Sequence, residues 1–167
     1  YTIAETLSSN CNMKFALGYF YQVRFFTPNM IPVSTALGDP KWYHQNKGSQ
    51  FTFLDKNNVI NGLRCEELAP GPLCSGLCDG NRDKGCSPLS CEFLKIYRMQ
   101  LEATFDISAF LERCKVASEK LKELNQYTGE PIIVLLVHES PDNPCSERKP
   151  LIDFFNSHGI QMEELII

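Results

Sequence analysis

The chain has 167 residues, 43% of them apolar and 22% charged, which excludes general disorder and suits one full-sized core. A formal charge of −4 excludes a protein that coats nucleic acid by bulk electrostatics. Eight cysteines are too few for a disulfide scaffold, yet Cys65, Cys74, Cys78, Cys86 and Cys91 crowd into one stretch.

Residues 14–26 (KFALGYFYQVRFF) are dense in aromatic and β-branched side chains and predict a strand. Pro28 breaks it, and residues 30–36 (MIPVSTA) predict a second, shorter one. Gly38, Asp39 and Pro40 stop the chain, and Lys41, Trp42, Tyr43 and His44 open a long polar loop. Residues 46–62 mix polar positions with Phe51, Phe53 and Leu54, which fits a small hairpin or an irregular excursion. Residues 69–88 are rich in Gly, Pro and Cys without a period of either kind, so a loop is expected that needs more than a core to order it.

From Ser90 to about Ala103 the apolar positions Leu94, Tyr97 and Leu101 recur at helical spacing. Asp106 is the expected N-cap of the next helix, because its carboxylate accepts from free N–H groups of a first turn. Ile107, Phe110, Leu111, Cys114, Ala117, Leu121 and Leu124 then form one stripe ending near Gly129. Residues 131–137 (PIIVLLV) read as a central parallel strand buried on both faces. A turn over 140–144, a helix carrying Leu151, Ile152, Phe154 and Phe155 to a stop at Gly159, and a final strand at 165–167 complete the chain. The expectation is α/β: one domain over 1–167, a mainly parallel sheet flanked by helices, and a Cys-rich insertion over about 65–91.

No apolar run approaches a membrane span, and the first residues lack the basic head and apolar middle of a secretory signal. Tyr1 is not an initiator methionine, so a cleaved leader stays open; without one, a reducing cytoplasm is the default expectation. There the spacing Cys74-x3-Cys78-x7-Cys86-x4-Cys91 favours a structural zinc ion, with Gly76 and Gly80 letting the backbone wrap it. Two disulfides, an iron–sulfur cluster or free thiols compete with zinc.

In open α/β sheets ligands gather beyond the carboxyl ends of strands, where loops lead into helix N-termini. Beyond Val137 stand His138, Glu139, Cys145, Ser146 and Arg148. A helix start favours an anion, Arg148 suits phosphate or carboxylate, and a cysteine in that setting gains thiolate character. Competing structural roles are a cap at Ser146, an ion pair for Arg148 and simple packing for Cys145. Lys41, Trp42 and Tyr43 set a cation beside rings that suit stacking on a base or cover for the core. The expected ligand is an anionic small molecule, a nucleotide or a nucleic-acid end. The rival is a non-enzymatic, zinc-stabilised module that docks protein or nucleic acid.

The segment VLLVHESPDNPCSERKPLI, residues 134–152, resembles the signature of the domain-of-unknown-function family four-eighty-eight. That signature is an aliphatic strand, an acidic residue, a short Pro-containing loop and Cys-His-Arg opening a helix. Ile31-Pro-Val-Ser34, Pro40-Lys-Trp-Tyr43 and Glu67-Leu-Ala-Pro70 resemble the family's upstream motifs. The resemblance implies a single α/β domain of prokaryotic or phage type with an uncharacterised active site. Glu139 matches its acidic position, Cys145 its cysteine and, through a gap, Arg148 its arginine. Ser146 stands where the family has histidine, which leaves His138 to substitute from the strand end.

Overall fold

A computed structural model describes residues 13–45, 60–74, 91–143 and 145–167. Six strands run β1 (Lys14–Tyr19), β2 (Met30–Ser34), β3 (Tyr43–Gln45), β4 (Ile60–Arg64), β5 (Ile132–Val137) and β6 (Met162–Glu164). They form one sheet in the order β3-β4-β2-β5-β1-β6, every pairing parallel. Helices α1 (Glu92–Thr104) and α2 (Ile107–Asn125) lie between β4 and β5, and α3 (Arg148–Ser157) lies between β5 and β6. The α/β expectation with a parallel sheet holds. Among the described residues no helix is long and apolar enough to cross a membrane.

The unbroken aliphatic run of β5 is explained by its place. It sits between β1 and β2, with Ile133 to Leu136 fully buried. Ile133, Leu135 and Val137 meet the helical layer through Tyr97, Leu101, Phe110, Leu111, Leu151 and Phe155. Val134 and Leu136 point to the opposite face, where Phe20, Val23, Ala36 and Tyr43 cover them. The three helices of the described residues therefore share one face, and a 3-10 segment, Phe20–Phe25, serves the other.

That segment corrects the expected strand over 14–26, which ends at Tyr19. The Gln22 side chain accepts from the Tyr19 amide at 3.1 Å and donates to the Leu165 carbonyl at 3.0 Å, giving the backbone a local partner in place of a ladder. Phe20 and Val23, one 3-10 turn apart, then point inward. The second strand stops two residues short of 36, because the Thr35 amide and hydroxyl both donate to the Leu136 carbonyl, at 3.1 and 2.8 Å. The expected polar loop at 41–44 contains the start of β3. Buried Tyr43 anchors it, its hydroxyl lying 3.1 Å from the Pro32 carbonyl and 2.5 Å from that of Leu63. Gly62 makes room: a Cβ there would fall 2.1 Å from the Tyr43 hydroxyl oxygen.

Asp106 caps α2 as expected, accepting from the Ala109 amide at 3.0 Å. The helix ends before Gly129, with Gln126 taking the left-handed conformation at φ 49°. The last strand lies at Met162–Glu164 rather than 165–167. The Asn156 carboxamide brackets Met162, accepting from its amide at 2.8 Å and donating to its carbonyl at 3.2 Å, which fixes the register. Buried Met162 supplies the apolar anchor, while Ile166 is exposed. The excursion expected over 46–62 ends in strand β4 from Ile60; residues 46–59 of it, residues 75–88 of the loop expected over 69–88, and Pro144 of the 140–144 turn lie outside the described residues.

Candidate site at the carboxyl edge of the sheet

Strands β2 and β5 end side by side, and their loops enclose a cavity of about 170 Å³. One wall is residues 35–38, the other is Val137, His138 and Glu139, and Pro70 and Glu147 close the sides. The first wall is fixed from behind. Ser34 donates to the Asp39 carboxylate, which also takes Arg64 at 3.0 Å, and Arg64 donates again to the Leu37 carbonyl at 3.1 Å. Both charges of that pair are largely buried, so removing Arg64 would leave the Asp39 charge uncompensated, whereas Arg64 also has the exposed Glu66 at 3.8 Å.

His138 ties the two walls together. Its Nε2 lies 2.6 Å from the Gly38 carbonyl oxygen, and its ring centroid lies 4.8 Å from that of Phe20. A carbonyl only accepts, so Nε2 carries the proton, and in the neutral ring Nδ1 holds the lone pair. Phe20 in turn packs edge-on against Trp42 and Tyr43, with centroids 6.2 and 5.3 Å away. Trp42 and Tyr43 thus support the site from the core side, and Lys41 is exposed beside them.

The loop from β5 into α3 holds the other expected residues. Glu139 accepts from the Ser146 hydroxyl at 3.2 Å. Ser146 is buried and its oxygen also takes the Arg148 amide at 3.3 Å, a local turn that starts the helix. Arg148 points into the protein body. It donates to Glu164 at 2.6 Å and to the Glu139 backbone carbonyl, leaving its Nε buried without a hydrogen-bond partner. Burial holds the Glu164 carboxyl above its ordinary pKa, and the Arg148 charge opposes that shift. The guanidinium is therefore committed to joining the β5 loop to β6. Cys145 is half-buried, its amide donating to Asn143 Oδ1 at 3.0 Å.

The structure brings His138, Glu139, Ser146 and Arg148 together, and sets Trp42 and Tyr43 behind His138 through Phe20. Thr35 and Gly38 belong to the site without having been anticipated. The signal was available: the rule about strand carboxyl ends applies to β2 as well as to β5.

The expected zinc ligands divide. Cys78 and Cys86 lie outside the described residues. Cys74 is buried 3.8 Å from Gln100 Oε1, and burial raises its thiol pKa. Cys91 is half-buried just ahead of α1. Among the described residues no cluster of three or more His, Cys, Asp or Glu side chains could hold a metal ion.

No family model, curated protein or solved structure matches the chain.

Proposed function

We propose that this chain binds the end of a nucleotide or nucleic acid, taking an amino-bearing nucleobase or its nucleoside into the cavity between the β2 and β5 loops. The cavity itself carries the reading. A volume of about 170 Å³ is below the roughly 300–1,000 Å³ of sites that swallow a drug-sized ligand, so it fits one ring system with the remainder outside. Several of the residues that line it carry acceptor atoms: Glu139, Glu147, Thr35 and His138. Such groups match an exocyclic amine, as a carboxylate matches the amino group of cytosine, and they turn phosphates outward. With Arg148 engaged by Glu164, the anionic part of the ligand gains nothing from that guanidinium. The likeness to family four-eighty-eight, whose suspected active site falls on the same loop, is in keeping with this reading.

Titration of cytidine, adenosine and uridine against the protein, followed by calorimetry or amide chemical shifts, tests it. The amino-bearing nucleosides are expected to bind more tightly than uridine. Gly38→Trp is expected to weaken binding at least about tenfold, since the Gly38 Cβ position is open and the ring would crowd the mouth. Glu139→Gln should narrow the preference for an amino group. Equal binding by Gly38→Trp, or no response to any of the three nucleosides, would refute the proposal.

A further inference from the structure

The 3-10 segment Phe20–Phe25 presents an outer surface that the fold does not use. Tyr21 and Phe25 are 51% and 56% exposed, with ring centroids 5.9 Å apart, and Tyr19 stacks on Tyr21 at 6.3 Å and 15° between planes. The Arg24 guanidinium lies 4.0 Å from the Tyr21 ring centroid, its Nε donating to the Tyr21 carbonyl at 3.0 Å. Among the described residues no carboxylate pairs with Arg24. The sequence keeps acid away: from Thr6 to Gly38 there is no Asp or Glu, although the chain has 20. An acidic protein thus sets on exposed rings a cation that has no carboxylate partner among the described residues, in a stretch whose sequence lacks Asp and Glu.

The position of this platform matters as much as its chemistry. Tyr19 is in register with Val137, and Phe20 packs on His138, so the platform starts beside the cavity wall. At roughly 2 Å rise per residue, six residues extend about 12 Å, the length of about three nucleotides of a stacked strand.

We propose that Tyr19, Tyr21, Arg24 and Phe25 form a stacking platform for the bases of single-stranded nucleic acid whose terminal base occupies the cavity. This rests on the reading of the cavity given above. Rings supply sequence-tolerant stacking, and Arg24 meets one phosphate or caps a base. The occupant is nucleic acid rather than an apolar peptide because the platform pairs its rings with the Arg24 cation.

Fluorescence anisotropy with a short single-stranded oligodeoxycytidylate tests the proposal, beside free cytidine and an abasic strand of equal length. The oligonucleotide is expected to bind at least about tenfold tighter than cytidine, and the abasic strand to lose that gain. Tyr21→Ala and Phe25→Ala, both at exposed positions, should each weaken oligonucleotide binding about tenfold and leave cytidine binding unchanged. Arg24→Gln should reduce the slope of log affinity against log salt by about 0.7, the share of one phosphate on a single strand.

Oligonucleotide affinity that is no better than that of cytidine, or that is untouched in the ring variants, overturns the platform while the cavity reading stands. Oligonucleotide binding that needs the rings, without any cytidine binding, upholds the platform and overturns the cavity reading. Tight binding of the abasic strand, or of an oligoproline peptide in place of nucleic acid, also overturns the platform.

Discussion

Arg148 offers a sharp choice between a ligand contact and a structural tie. Its side chain is 7% exposed, and it holds Glu164 at 2.6 Å and the Glu139 carbonyl. Arg148→Met keeps the apolar stem and removes the guanidinium, so lost packing contributes little. Removing one partner of a fully buried pair costs about 3–5 kcal/mol. Glu164 is 32% exposed, however, and water can solvate the abandoned carboxylate, which brings the expected loss to about 2–3 kcal/mol. For a chain of this size that lowers Tm by about 4–12 °C. Urea unfolding of the wild type, Arg148→Met, Glu164→Gln and the double variant measures it. The two single losses should sum to more than the double loss by about 0.5–2 kcal/mol, as for groups in direct contact. If Arg148→Met keeps wild-type stability to within about 0.5 kcal/mol and only ligand binding fails, the guanidinium belongs to the ligand and the structural account is wrong.

Thiol labelling at neutral pH should modify half-buried Cys91 and Cys145 in the native protein and reach Cys65, Cys74 and Cys114 only after unfolding, as read by peptide mass mapping. Native modification of Cys65 as fast as Cys145 would contradict the burial described. Burial, reinforced by Glu67, pushes the Cys65 thiol from near 9 up to about 12. The folded state then keeps a proton that the unfolded chain loses, so this contribution is full below about pH 9 and falls as pH rises toward 12. Urea midpoints across that window should decline, with Cys65 alone supplying a slope of up to about 1.4 kcal/mol per pH unit, and Cys65→Ala should flatten it. Gly62→Ala should cost about 1–3 kcal/mol by driving a methyl into the clamped Tyr43 ring, whereas Gly38→Ala, with open space at its Cβ, should stay within about 0.5 kcal/mol. Equal stabilities of these two variants by urea unfolding would refute the packing argument at β3 and β4.

Features set by local pattern were legible in the sequence. The β5 run over 131–137 announced a strand buried on both faces, and Asp106 announced the start of α2, because each signal lies within a few residues of its consequence. The errors share a different cause. The end of β1 is decided by Gln22 reaching the Leu165 carbonyl, and the register of β6 by Asn156 bracketing Met162. The role of Arg148 is decided by Glu164, and the shape of the 35–38 wall by Arg64 reaching Asp39 and Leu37. Each is a polar side chain whose partner is chosen by tertiary placement, and neither period nor propensity encodes that choice. The site was placed at the end of β5, and Thr35 and Gly38 at the end of β2 were missed because the strand-end rule was applied to β5 alone.

The position of β5 between β1 and β2 has a consequence for how the chain is made. Met30–Ser34 can pair with Ile60–Arg64 soon after both are made, but Lys14–Tyr19 pairs only with Ile132–Val137 and Met162–Glu164, and it waits for them. At about 5–20 residues per second β5 arrives on the order of ten seconds later. Throughout the interval the aromatic run after Gly18 lacks Val134 and Leu136, the β5 side chains it covers in the folded protein. The nascent protein therefore carries an aromatic segment unshielded until β5 is made, a topology that makes folding slow and chaperone capture of that segment an advantage.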